Sequence, residues 1–186
     1  MGDTGPGGGI IFYRDLSGFT VQGHESFESY TAKYLEAAPN DISGERQWAG
    51  RTGDLIPGLS QSPEENTDWA IGRGRMNTAI IIAYGQNPTN PPSSNETPFT
   101  TPAASACLTY GSPNDWFLPS REELNELYKY WNDNGRPANL NLTTGWYWSS
   151  SQFDRGNAWM QVFNDGYLGS YDSKGSTNNV RAIRAL

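Results

Sequence analysis

Asp115-Trp116-Phe117-Leu118-Pro119-Ser120-Arg121-Glu122-Glu123-Leu124 is the stretch whose reading decides the fold of this chain. Ser120 and Glu123 stand three apart, the spacing of a capping box. There the hydroxyl and the carboxylate each take a backbone N–H left unpaired at a helix start. Leu124, Leu127, Tyr128 and Trp131 follow at helical spacing, so a helix begins at Ser120 with one apolar face. Asn132-Asp133-Asn134-Gly135 is its stop. Trp116, ahead of the cap, belongs to a strong scaffold motif and is expected in the core.

Working outward, residues 103–110 read as a second helix, ended by Gly111-Ser112-Pro113. Residues 76–84 read as a third, with Met76, Ala79, Ile80 and Ala83 on one face, although an isoleucine triplet also suits a strand. Between them residues 86–102, rich in Pro, Asn, Ser and Thr, predict an exposed loop. Nearer the front, residues 10–13 and 34–37 predict strands, the second closed by Pro39-Asn40-Asp41. Residues 43–72 predict a long loop held to the body by Trp48 and Trp69, and its Glu64, Glu65 and Asp68 a solvated acidic cluster. After the capped helix the period changes to that of strands, over residues 146–150, 158–163, 167–171 and 180–185. Asn164-Asp165-Gly166 is a hairpin signal, since these residues tolerate the positive φ of tight turns. Strands in front, helices in the middle and antiparallel strands at the end make an α+β layout.

The chain has 186 residues, 35% hydrophobic and 18% charged, with 21 Gly and 12 Pro, which suits one loop-rich domain over residues 1–186. Seven Trp, ten Tyr and seven Phe supply core volume that aliphatic residues do not. No apolar run is long enough to span a membrane. A formal charge of −7 repels phosphate backbones, and only Arg73 and Arg75 lie close together, so nucleic acid is not an expected partner. Cys107 alone can form neither an internal disulfide nor a multi-cysteine zinc site, and its helical setting predicts burial. With His24 the single histidine, no histidine-based metal site or hydrolytic triad is available. Met1-Gly2-Asp3-Thr4 has neither the basic start nor the apolar stretch of a leader. The residues alone make the following glycines a flexible lead.

The run Gly2-Asp3-Thr4-Gly5-Pro6-Gly7-Gly8-Gly9-Ile10-Ile11-Phe12-Tyr13, Leu35-Glu36-Ala37-Ala38-Pro39, the Trp116 motif, Tyr147-Trp148-Ser149-Ser150 and Val180-Arg181-Ala182-Ile183-Arg184 occur in that order. In this the chain resembles bacterial DUF1566 domains, which are C-type-lectin-like and related to the C-terminal domain of a Legionella collagen-like adhesin. The resemblance implies small antiparallel sheets flanked by helices, adjacent N- and C-terminal strands, and long loops that carry recognition. It also makes the glycine run the opening of the domain. It implies extracellular, cell-surface or periplasmic work as an adhesin-like, non-enzymatic binder of a glycan or protein. A structural or homo-oligomerising end domain, or a variable binding protein of a diversity-generating retroelement, would be the alternatives.

No cofactor is expected, and calcium is possible but supported by no motif. Trp131-Asn132-Asp133 matches part of the calcium motif of sugar-binding C-type lectins, but it sits at a helix end and has no Glu-Pro-Asn companion. Loops carrying Asp41, Asp54 or Asp172 need only water. The paired cysteines of formylglycine-generating enzymes are absent too. Trp116, Trp148 and one of Trp159 or Met160 are expected in the core. Arg181 and Arg184 would point to opposite sides of the last strand, with Arg181 buried and paired, Asp115 or Glu123 being the candidate partners. Ser120, Glu123 and Arg181 are thus structural residues. Recognition is assigned to Trp146, Gln152, Phe153, Asp154, Arg155, Asn157, Tyr167, Tyr171 and Asp172, which mix rigid aromatic area with amides and charges.

Overall fold

The computed structural model describes residues 1–87, 98–112 and 114–186. Most of the loop expected over 86–102, and Pro113 of the helix stop, lie outside them. Three helices and eight strands are formed by the described residues: β1 (Ile10–Val21), β2 (Tyr30–Ala37), β3 (Arg46–Gln47), α1 (Gly74–Gln86), α2 (Pro102–Leu108), α3 (Arg121–Asp133), β4 (Trp146–Gln152), β5 (Asn157–Val162), β6 (Tyr171–Ser173), β7 (Thr177–Asn178) and β8 (Ile183–Ala185). They build three antiparallel sheets, β1-β2-β8, β3-β7 and β4-β5-β6, an α+β architecture. The first and last strands share a sheet with β2 between them.

The glycine run is packed rather than loose. Gly2 donates to the Ile11 carbonyl and Ile11 to the Asp3 carbonyl, folding the run back on β1. Gly7 and Gly9 donate to Glu36, a fully buried carboxylate on β2, at 3.2 and 2.7 Å. Glu36 faces Arg184 across the β2–β8 register, and the guanidinium also holds Asp115 at 2.7 Å. The opening segment, β2, β8 and the Trp116 motif therefore meet at one charge cluster.

Ser120 caps α3 as its spacing requires, its Oγ accepting from the Glu123 N–H while Glu123 accepts from the Ser120 N–H. Glu123 is also fully buried and accepts from the Gly72 N–H at 2.8 Å, and the Ser120 hydroxyl donates to the Ala70 carbonyl. A local cap thus pins the end of the long loop. Burial pushes the Glu123 carboxyl up to about 7 against the pull of these N–H groups.

Several expectations need correction. α1 buries Asn77, Thr78 and Ile81, while Met76, Ala79 and Ile80 are half-buried and Ala83 exposed. Asn77 donates to the Asp68 carbonyl and Ser150 Oγ, and Thr78 bonds Leu118, so tertiary hydrogen bonds choose the inner face. Asp68 is buried, accepting from Ser60 and the Gln152 N–H; only Glu64 and Glu65 of its cluster are exposed. The chain turns at Asn164-Asp165-Gly166, but pairing resumes only at Tyr171, and the last strand begins only at Ile183. Because residues 181 and 182 precede that strand, alternation does not govern the two arginines. Both are buried, and Arg181 pairs with Asp41 at 2.7 Å, not with Asp115 or Glu123. Trp159 and Met160 are both buried.

The core has two parts. One gathers Trp48, Trp116 and Trp148 with Ile81, Cys107 and Leu118, and the other joins Phe12, Leu35, Phe117, Leu127, Trp131, Tyr147 and Phe163. Burial raises the Cys107 thiol, which leaves it protonated and inert.

Candidate functional site

β4 is buried on both faces through Ser149, Ser150, Ser151 and Gln152, whose small or hydrogen-bonding side chains admit close neighbours. Ser149 donates to the Trp159 carbonyl and Ser151 to the Asp68 carbonyl. Gln152 is fully buried and belongs to this polar interior, a correction to its place among recognition residues. It accepts from the Ile56 N–H and Lys174 Nζ and donates to the Ser60 carbonyl. Lys174 is buried as well, bonded to the carbonyls of Asp54 and Arg155 and lying 5.0 Å from the Trp48 ring. Burial lowers its ammonium to about 8.

On this base the turn between β4 and β5 is rigid. Asp154 Oδ1 accepts from the Gly156 N–H, the Asn157 N–H and Asn157 Nδ2, all within 2.9 Å. The exposed Arg155 reaches across to the Gly53 carbonyl at 3.0 Å. Phe153, leaving the turn, stacks on Tyr171 of β6 with centroids 3.8 Å apart and planes 17° from parallel. Tyr171 remains 50% exposed, so one aromatic face is offered to solvent on a fixed mount. Asp172 turns inward, accepting from the Ser173 N–H, Ser176 and Asn178.

Behind Phe153 the aromatic cluster continues into residues that the sequence reading left out of the site. Trp159 meets Phe153 edge to face at 4.8 Å and Trp69 at 5.2 Å. Arg121 lies 4.1 Å from the Trp69 ring and 4.4 Å from that of Trp159. Its guanidinium bonds Glu122 and the Leu168 carbonyl, and burial lowers its pKa while Glu122 opposes the shift. A signal for Arg121 was available: a cation in the first turn of a helix opposes the macrodipole, so its charge must be used elsewhere. Trp69 was expected to hold the long loop to the body, but nothing local places it beside this cluster.

The nine recognition residues therefore divide. Phe153, Asp154, Arg155, Asn157, Tyr171 and Asp172 come together around the turn and β6. Tyr167 is 62% exposed and folds over Gly169, in the loop that receives the Arg121 bond. Trp146, 51% exposed, is at the other end of β4, roughly 20 Å away by strand rise, beside Asn164, Thr177 and Asn179. Among the described residues no group of three or more His, Cys, Asp or Glu could hold a metal ion.

A conserved-family model described as the Lcl C-terminal domain matches residues 58–184, from the long loop through Arg184. The chain belongs to the Lcl C-terminal domain family. No curated protein matches it. The Lcl match takes in the capped helix, the whole aromatic face and both buried arginines, while β1 and β2 precede it. No helix among the described residues is long and apolar enough to cross a membrane.

Proposed function

We propose that this chain is a non-enzymatic, adhesin-like ligand-binding domain of C-type-lectin-like fold, working at the cell surface or in the periplasm. The observation that carries the reading is the stacked Phe153–Tyr171 pair, half open to solvent beside the Asp154 turn. A stacked aromatic plane next to a polar turn suits a pyranose face, whose C–H groups pack on the ring. Its membership of the Lcl family supports the surface role. No cofactor is required by such contacts, and the net charge of −7 favours neutral glycans over polyanions.

A glycan array probed with the native domain tests this. Binding to neutral glycans is expected, and Tyr171→Ala should weaken it about tenfold or more, the effect of truncating an aromatic anchor. Trp146→Ala, at the distant end of β4, should leave it unchanged. Retention of no glycan, or equal binding by the Tyr171 variant, would sink the proposal.

A further inference from the structure

A cleft of about 430 Å³ runs along α1, within the roughly 300–1,000 Å³ range of small-molecule sites. Its described lining shares no residue with the aromatic face. Arg75, Ala79, Ile82, Ala83 and Gln86 line it, and their helical spacing sets them in one stripe, on the side away from the buried Ile81. Phe27, from the turn between β1 and β2, and Leu108, 45% exposed at the end of α2, add apolar walls. The stripe is ordered. It has a cation in the first turn of the helix, then apolar residues as far as Ala83, about 12 Å along the axis.

The charged groups of the cleft differ in what they leave open. Among the described residues Asp115 is the one acid on the lining, and its Oδ2 is taken by Arg184 at 2.7 Å while its Oδ1 is buried. Its charge is answered within the protein. Arg75 is only half-buried, its guanidinium 4.1 Å from the Phe27 ring centroid and 5.5 Å from that of Tyr30. Ring contacts orient a guanidinium without neutralising its charge. No carboxylate pairs with Arg75 among the described residues, and the first turn of α1, where the macrodipole is positive, contains no acid. Arg121, in the first turn of α3, has Glu122 beside it; Arg75 has no such counterpart.

We propose that this cleft binds a medium-chain aliphatic carboxylate, its acyl chain along Ala79, Ile82 and Ala83 and its head group on Arg75. Charge complementarity selects the head: a guanidinium–carboxylate contact answers the open cation at the end of the stripe. An ammonium head would meet Arg75 and the positive end of α1 with like charge, and a neutral head would leave both unanswered. The apolar walls select the tail, each buried methylene being worth roughly fourfold in affinity. The net charge of −7 acts weakly here, because exposed charges more than about 10 Å apart are largely screened at 0.1 M salt. This site is independent of the aromatic face and stands or falls without it.

Calorimetric titration of the full chain tests the assignment, with octanoate, butyrate, octanol and octylammonium as probes. Octanoate should bind at least tenfold more tightly than butyrate and octylammonium, and at least fivefold more tightly than octanol. Amide chemical shifts should move at Ile82 and Ala83 when octanoate binds. Arg75→Gln should bring octanoate down to the affinity of octanol while leaving octanol itself unchanged, which loss of the fold would not do. Ala83→Trp, which fills the cleft from an exposed position, should abolish the binding of both. Octanol or octylammonium binding as tightly as octanoate overturns the proposal. So does the absence of heat and shift change with octanoate at millimolar concentration, a preference for octanoate that survives Arg75→Gln, or undiminished binding by a folded Ala83→Trp variant.

Discussion

Arg181 has more hydrogen-bond partners than any exposed arginine needs, because every one of its donors is out of water. Its Nε bonds Asp41 at 2.7 Å, Nη1 bonds the carbonyls of Ala38 and Leu140 at 2.6 and 2.7 Å, and Nη2 bonds that of Asn141 at 3.1 Å. Asp41 in turn accepts from the Tyr147 hydroxyl at 2.8 Å, and burial together with that carboxylate pushes the phenol up to about 12. Arg181→Met leaves four acceptors unmet and should cost about 3–5 kcal/mol in urea unfolding. Arg181→Lys should recover less than half, since one ammonium cannot span the four acceptors that a planar fork reaches. Tyr147→Phe should cost about 1 kcal/mol. An inward, paired arginine was expected from strand alternation, a rule that does not reach residue 181, and its partner was not legible. Asp41 is 140 residues away, and which acid arrives depends on the path of the chain after β2, to which no spacing rule applies.

Among elements, legibility follows how local the deciding interaction is. The cap of α3 depends on residues three apart and was readable in full, including its apolar face of Leu124, Leu127 and Trp131. The inner side of α1 was not, because Ile80-Ile81-Ile82 covers both sides and partners from β4 and the Trp116 motif make the choice. Of the candidate site, the grouping of Phe153, Asp154, Arg155 and Asn157 was legible from their nearness in sequence, whereas Gln152 looks as polar in sequence as any surface amide until Lys174 and Ser60 close over it. The opening glycines show the same limit: bare composition suggests slack chain, and only the resemblance made them part of the domain. A Cβ at Gly9 would strike the Ala37 carbonyl, whereas one at Gly8 would meet nothing within 4 Å. Gly9→Ala should therefore cost roughly 3 kcal/mol, the top of the usual range for overpacking, because the obstacle is strand backbone. Gly8→Ala should cost about 1 kcal/mol, from its φ of +79° alone. Thermal unfolding of the two variants side by side separates close packing from backbone conformation.

At the scale of the whole molecule, two buried titratable groups, Glu123 and Lys174, give stability a pH dependence of two limbs. Glu123 binds its proton more tightly folded than unfolded, its carboxyl being raised from 4.5 to about 7. Between those values the folded state holds more protons, so stability falls as pH rises from about 4.5 to 7. Asp68, raised by burial, acts in the same direction. Lys174 is shifted the other way, from 10.5 to about 8. Between those values the unfolded chain holds more protons, so stability rises from about pH 8 to 10.5. Each shift corresponds to at most about 3 kcal/mol, and together they place a shallow minimum of stability between about pH 7 and 8. Urea unfolding across pH 4.5 to 10.5 should show both limbs. Glu123→Gln should reduce the acid limb to the part that Asp68 supplies while lowering stability, because its amide cannot accept from both the Gly72 and Ser120 N–H groups. Lys174→Met should flatten the alkaline limb and leave the acid one unchanged. A profile whose limbs survive both substitutions would assign the pH dependence to other groups.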